Sequence, residues 1–193
     1  MRPVHAVFFD FDGVLVESLS VKTDAFAHLY ADHGPAVVRK VVAHHLAHGG
    51  MSRYDKFRYY HEVFLGCPIS EDEVARLADR FAALVVDAVV DAPAVAGAME
   101  ALTGLQARGL RLAVVSGTPQ DEMREIIQRR RMASFFTTVL GSPRHKPDLI
   151  RELLVTWALR ADQAVRVGDA LGDQQAAQAN GVPFILSLIH ISQ

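Results

Sequence analysis

Val4-His5-Ala6-Val7-Phe8-Phe9-Asp10-Phe11-Asp12-Gly13-Val14-Leu15-Val16-Glu17-Ser18 runs an apolar segment into two carboxylates and a glycine. A stretch rich in Val and Phe that ends at charge and glycine reads as a buried strand, because β-branched and aromatic side chains suit a sheet covered on both faces. Asp10 then falls at the C-terminal end of the strand. Alternation along the strand turns Asp10 and Asp12 the same way, and Gly13 lets the chain bend where a Cβ would obstruct it. Two anions so close repel unless a cation or shared proton intervenes, and the hard cation Mg²⁺ suits oxygen ligands. Taken alone, D-x-D-G is also simply a strand followed by an Asp-Gly turn.

With 193 residues, the chain exceeds the common domain size of about 100–150 residues, so one large domain or a domain with an inserted module is expected. Half of the residues are hydrophobic and the formal net charge is −2, with acidic and basic residues interspersed. That pattern argues against a nucleic-acid or membrane-surface partner. Arg129-Arg130-Arg131 is the only basic run, and a solvated helix end explains it. The single cysteine, Cys67, excludes an intramolecular disulfide and a cysteine-rich zinc site. No signal-peptide pattern and no apolar stretch of about 18 residues is visible, so a cytoplasmic protein is expected.

From Ser18 to about residue 92, apolar residues recur at helical spacing, as in Val21, Ala25 and Leu29 or Val74, Leu77, Phe81 and Leu84. Breakers at Gly34-Pro35, Gly49-Gly50 and Gly66-Cys67-Pro68, and an N-cap at Ser70, divide the segment into four helices. From Pro93 onward helices alternate with strands near 110–116, 137–141, 164–168 and 183–187. The pattern predicts an α/β fold in which a Rossmann-like parallel sheet, formed by residues 1–17 and 93–193, is split by a four-helix insertion over 18–92. The crossings fall near Val16–Ser18 and Ala92–Gly97.

In open parallel sheets ligands bind beyond the carboxyl ends of the strands. Those ends bring Asp10, then Ser116-Gly117-Thr118, then Lys146, then Asp169 and Asp173 toward one place. These parts suit phosphoryl transfer, whose developing charge must be dispersed. Asp10 is the candidate nucleophile, and Asp12 can protonate a leaving oxygen and later deprotonate water. Ser116 offers a hydroxyl, and the amides of Gly117 and Thr118 at a helix start suit a phosphate oxygen. Lys146 is a cation beside the carboxylates, while Asp169 and Asp173, about one helical turn apart, can reach a metal or hold Lys146. Singly, these features are also a plain helix start, a surface lysine and an N-cap.

The phrase DFDGVLVES, followed in order by Ser116, Lys146 and the pair Asp169 and Asp173, resembles the four signatures of the haloacid dehalogenase superfamily. The resemblance covers roughly residues 4–186 and implies an Mg²⁺-dependent enzyme that works through an aspartyl-phosphate on Asp10. It implies that Mg²⁺ is held by the Asp10 carboxylate, the Asp12 backbone carbonyl and Asp169, with Asp173 supporting. An aspartate at the position of Asp12 marks the phosphatase and mutase branches rather than the dehalogenases. The helical insertion is similar to the small cap of the phosphoglycolate phosphatase and β-phosphoglucomutase branch, a lid that excludes water over bound substrate.

Within the insertion, Gly50-Met51-Ser52-Arg53 resembles the substrate-specificity loop of β-phosphoglucomutase, so Arg53 is a candidate grip for a carboxylate or second phosphate. The plain alternative is a helix connection with Ser52 as N-cap. Lys56 and Arg58 either share the role or lie on the surface. Ser187-Leu188-Ile189-His190-Ile191-Ser192-Gln193 lacks the turn and helix expected after the last strand, resembles translated sequencing-adaptor sequence, and is assigned no function; an edge strand is the structural reading. The expected function is a phosphatase of small phosphorylated metabolites, with a phosphohexomutase as the first alternative. A phospho-accepting signalling domain of the receiver type is the second, and such domains lack the helical insertion.

Overall fold

A computed structural model of the chain describes residues 3–187, so all of the C-terminal heptapeptide except Ser187 lies outside the described residues. Strand β1 (Ala6–Phe9) is buried at every position and forms the middle of a five-stranded sheet. Its residues pair in parallel with β2 (Arg111–Pro119) on one side and β4 (Ala164–Gly168) on the other. With β3 (Thr138–Ser142) and β5 (Phe184–Leu186) outside these, the order is β3-β2-β1-β4-β5, all parallel. Strand order therefore reverses at β1, which places the crevice of such a sheet at the residue following Phe9.

The α/β reading holds, and the helical segment after β1 has the four helices its breakers predict. They are α1 (Leu19–Leu29), α2 (Pro35–Ala47), α3 (Arg53–Tyr59) and α4 (Glu71–Asp91). Helix α4 starts with a full capping box between Ser70 and Glu73, and α3 with Ser52 accepting from the Asp55 amide. Helix α3 runs on into a π-helical turn over Tyr60–Leu65, which the sequence pattern did not disclose. The chain then returns through α5 (Ala98–Ala107), and α6 (Gln120–Arg129), α7 (Lys146–Thr156) and α8 (Leu171–Ala179) connect the remaining strands. Where the chain leaves for α1 and returns from α4, the two crossings lie side by side: Val16 bridges Ala94, and the Glu17 amide donates to Pro93 O at 3.0 Å.

Two apolar clusters cover the two faces of the sheet. Ala6, Phe8, Ala113 and Val115 meet Leu149, Ile150 and Leu153 of α7 and Ala176 and Ala177 of α8. Val7, Phe9, Leu112 and Val114 belong to a larger cluster that continues without a break through Met123 and Ile126 of α6 into Phe26, Phe57, Phe81 and Val85 of the helical segment. Full burial of each such side chain contributes about 1.5–3 kcal/mol, so the segment is welded to one face by ordinary hydrophobic burial. Among the described residues no helix is long and apolar enough to cross a membrane.

The basic run is not merely solvated. Arg130 reaches across from α6 and its Nη1 donates to the carbonyls of Val89, Val90 and Ala92 at 2.9, 2.6 and 2.7 Å, closing the C-terminal end of α4. Those carbonyls have no intrahelical donor, so a cation there satisfies them and the helix dipole together. Arg130→Met is expected to lower unfolding stability by about 1–3 kcal/mol in urea titrations. Arg129→Met, which removes only the exposed contacts to Asp87 and Glu125, should leave the midpoint where it is.

Candidate active site

Asp10 follows β1 directly, with its own amide hydrogen-bonded to Val167 O at 2.9 Å, so both neighbours of the central strand fix where its carboxylate stands. The carboxylate is 3 % exposed. Its Oδ1 accepts from the Phe11 amide at 2.9 Å and its Oδ2 from Lys146 Nζ at 2.9 Å. Lys146, the first residue of α7, also donates to Asp173 Oδ1 at 2.7 Å. Beneath them lies Arg166 in β4, fully buried, with Nη2 donating to the same Asp173 oxygen at 2.5 Å and to Val115 O at 2.9 Å. Asp173 comes this close because residue 168 is glycine: a Cβ there would lie 2.4 Å from the Asp173 Cβ.

Arg166 was missed by sequence reasoning. Its signal was available, since Ala164-Val165-Arg166-Val167-Gly168 is an apolar strand with one charge at its centre, and a charge there must be paired or it costs several kcal/mol. Lys22 was missed as well. It sits on the face of α1 that packs inward, and it donates to Asp12 Oδ2 at 2.5 Å and to Thr118 Oγ1 at 2.7 Å. Asp12 also accepts from Ser18 Oγ at 2.6 Å.

The carboxylates are tuned apart. Burial pushes Asp10 up to about 6, helped by Asp173 and opposed by Lys146 and Arg166. Burial likewise pushes Asp169 up to about 7, with Asp10 and Asp173 adding repulsion. Burial works against ionised Asp173 too, but the Lys146 and Arg166 cations outweigh it and hold that carboxyl far below its ordinary range. Asp12 is also held low: Lys22, through charge and hydrogen bond, together with Ser18 and Thr118, overcomes its burial.

Oxygens of Asp10, Asp169 and Asp173 all lie within 4.8 Å of one another, and Asp173 Oδ2 is buried with no hydrogen-bond partner. Three carboxylates, two of them held above their ordinary range by burial and mutual repulsion, form a donor set that fits a hard divalent cation. Asp12 adds no side-chain oxygen to that group.

Ser116, Gly117 and Thr118 stand where β2 loses its pairing. The β2–β3 ladder is regular to Val115 and Leu140 and resumes only at Pro119 and Ser142. The sequence reading put the Gly117 and Thr118 amides at a helix start, but α6 begins later, at Gln120, and the Thr118 amide is already directed to Ser116 Oγ at 3.1 Å. Gly117 instead makes room for the helical segment: a Cβ on it would lie 2.6 Å from Gly50 O, and one on Gly50 would lie 2.7 Å from Lys146 Nζ. The Gly49-Gly50 turn is thus packed against the strand ends.

Arg53 departs from its expected role as an open anion grip. It is buried, stacked 4.5 Å over the Phe81 ring, and its guanidinium is forked onto Glu122 of α6 at 2.8 and 2.5 Å. That fork ties the helical segment to the sheet domain. Between the two lies a cavity of about 420 Å³ into which Asp10, Asp12, Asp169, Gly117, Thr118 and Lys56 all face.

The sheet order, the strand-end carboxylates and the helical insertion define a hydrolase of the haloacid dehalogenase type, and the sequence profile of the haloacid dehalogenase-like hydrolases matches residues 7–187. The chain belongs to that family. It is 32 % identical over 189 residues to phosphoglycolate phosphatase of Rhodospirillum rubrum, covering 94 % of this chain and 78 % of the relative. In fold it is similar to a protein assigned as a β-phosphoglucomutase in Bacteroides vulgatus, with a TM-score of 0.81, 18 % identity, and coverage of 99 % of this chain and 78 % of that one. It is likewise similar to a predicted phosphoglycolate phosphatase of Haemophilus somnus, with a TM-score of 0.73, 21 % identity, and coverage of 96 % and 86 %. Family and relative together make the chain an enzyme of the phosphatase class.

Two outcomes follow from the buried charges. Arg166→Met removes one donor from Asp173 and is expected to cost about 3–5 kcal/mol of unfolding free energy, measured by denaturant titration. Mg²⁺ is expected to raise the thermal midpoint at about pH 8 and far less at about pH 5, because protons compete for Asp10 and Asp169 once the pH falls below their raised values. A shift that is equal at both pH values would exclude these carboxyls as the ligands.

Proposed function

We propose that the protein is an Mg²⁺-dependent phosphatase of small phosphorylated metabolites, acting through a phosphoryl-enzyme intermediate on Asp10. One observation carries this reading above the others: the Asp10 carboxylate lines a cavity between the sheet and the helical segment, held by Lys146, with Asp169 and Asp173 grouped beside it. Asp10, Asp169 and Asp173 would hold the cation, and bound Mg²⁺ would supply neutralising charge for the transferring phosphoryl group.

In the first half-reaction an Asp10 oxygen attacks phosphorus, the P–O bond to the ester oxygen breaks, and that oxygen leaves with a proton from Asp12. In the second, water attacks the phosphoryl group on Asp10 while Asp12 takes a proton from that water, and the Asp10–phosphorus bond breaks to free phosphate. Held low by Lys22, Asp12 is poised for the second step as it stands. For the first it must be protonated, which requires Lys22 to loosen as substrate arrives. Lys146 keeps Asp10 oriented, and Gly117 and Thr118, the latter steadied by Ser116 Oγ, line the side on which phosphoryl oxygens would rest.

Residues 18–92 form the lid in this reading, with 1–17 and 93–193 as the catalytic body. The lid excludes water from the site and strengthens every charge interaction inside it. The relatives that act on phosphoglycolate make 2-phosphoglycolate the first substrate to try.

The test is phosphate release from a panel of sugar phosphates and 2-phosphoglycolate, with and without Mg²⁺. Release that depends on Mg²⁺ is expected, and Asp10→Asn should lower it by on the order of 10³-fold or more, with Asp12→Asn lowering it by about 10²–10⁴-fold. Isomerisation of a sugar phosphate without release of phosphate would replace the phosphatase by a phosphohexomutase. Full activity of Asp10→Asn would remove the assigned mechanism.

A further inference from the structure

The cavity contains a cation that the phosphoryl chemistry does not use. Lys56, on α3, is only 2 % exposed. Its Nζ meets His45 Nδ1 at 2.8 Å, His45 O at 3.5 Å and the face of Phe26 at 5.5 Å from the ring centre. No carboxylate forms an ion pair with it among the described residues. The carboxylate that favours its charge is Asp12, and Asp12 is already engaged by Lys22, Ser18 and Thr118. Every other lysine of the site has an anion: Lys22 has Asp12, and Lys146 has Asp10 and Asp173.

A buried ammonium without an anion is costly, and such a charge is retained where something supplies the missing partner. Burial, with Lys22 and Lys146 adding repulsion, pushes Lys56 down to about 7, and burial together with Lys56 pushes His45 down to about 3. His45 is therefore neutral, and its Nδ1 lone pair accepts from Lys56 rather than repelling it. Lys56 faces the same cavity as Asp10 and Asp169; Phe26, Phe81, Leu19 and Met51 supply apolar wall, and the other two cations that line it, Lys22 and Arg53, are paired with Asp12 and Glu122. The partner must come from the cavity. Arg53, the residue whose sequence setting suggests an anion grip, is already spent on Glu122.

We propose that Lys56, steadied by His45, is the specificity-determining residue that binds a carboxylate at the end of the substrate away from the phosphoryl group. A single ammonium matches the single charge of a carboxylate, and a cavity of about 420 Å³ suits a short molecule carrying both groups. The assignment rests on the phosphatase reading and names the class of ester it serves: small phosphomonoesters bearing a carboxylate.

The experiment compares kcat/KM for 2-phosphoglycolate with that for 2-phosphoglycolamide, a nearly isosteric ester whose far end is neutral. The wild-type enzyme is expected to prefer the acid by about 10- to 100-fold, the span of one charge-assisted hydrogen bond. In Lys56→Gln the preference should fall to within about threefold of unity, through a higher KM for the acid. Lys56→Met serves as the second substitution, and either variant is read only if it melts as the wild type does. Equal use of acid and amide by the wild type, or an unchanged preference in a folded variant, overturns the proposal while leaving a working phosphatase. The wild-type comparison decides the matter if neither variant folds. Failure of the wild type to hydrolyse any phosphomonoester overturns the phosphatase reading and this proposal together.

Discussion

Two carboxylates and two cations share the buried end of β1, and the rest of the molecule is arranged to keep them there. Asp173 accepts from Lys146 and from Arg166, and Lys146 passes the arrangement on to Asp10. Four charges at such burial are tolerable only as a set, because each removes the desolvation cost of another. Within this set the charges balance. Asp169 is left over at one wall of the cavity and Lys56 at another, an anion and a cation at separate places. A metal ion and an acidic ester are the guests proposed for these two charges.

The helical segment contributes more than a cover. Lys22 reaches from α1 to Asp12, and Arg53 reaches from α3 to Glu122. Both contacts join charged groups across the cavity, and both are nearly buried. The charge on Asp12 is thereby coupled to the position of the segment: with Lys22 in place Asp12 stays ionised, and without Lys22 its burial would favour the protonated form. Under the proposed mechanism, a proton-transfer group whose state follows the seating of a helix needs no separate signal that substrate has arrived.

Much of this was legible in the chain. The apolar run ending at Asp10, the alternation after Pro93, and the breakers at Gly34-Pro35, Gly49-Gly50 and Gly66-Cys67-Pro68 mark the sheet, its order of strand ends and the helical insertion, because local periodicity and turn chemistry leave direct traces in sequence. Asp10, Lys146, Asp169 and Asp173 could be gathered because parallel strands deliver their C-terminal ends to one edge. Pairings between distant segments leave no such trace. Arg53 reads as a free guanidinium until Glu122, 69 residues on, is seen to fork onto it. Lys22 carries no signal of its own in the sequence, and Lys56 stays open between an anion grip and a surface lysine, since the pattern does not say which helix faces cover a cavity. Arg166 was visible as a charge in a central strand, but its partner is settled only when α8 brings Asp173 against Gly168.

The Gly49-Gly50 turn meets the sheet domain partly through main chain, with Gly50 O facing Gly117 and Gly49 O facing Gly172 of α8, and partly against the side chains of Lys146 and Ala170. Glycines bury little apolar area, so parting these surfaces forfeits little hydrophobic free energy, whereas a single added methyl would hold them apart. At the turn itself the fit is close but adds little to the apolar burial that holds the segment elsewhere. Were the segment to open as the proposed lid, the strength of closure at this join would be set by the guest itself.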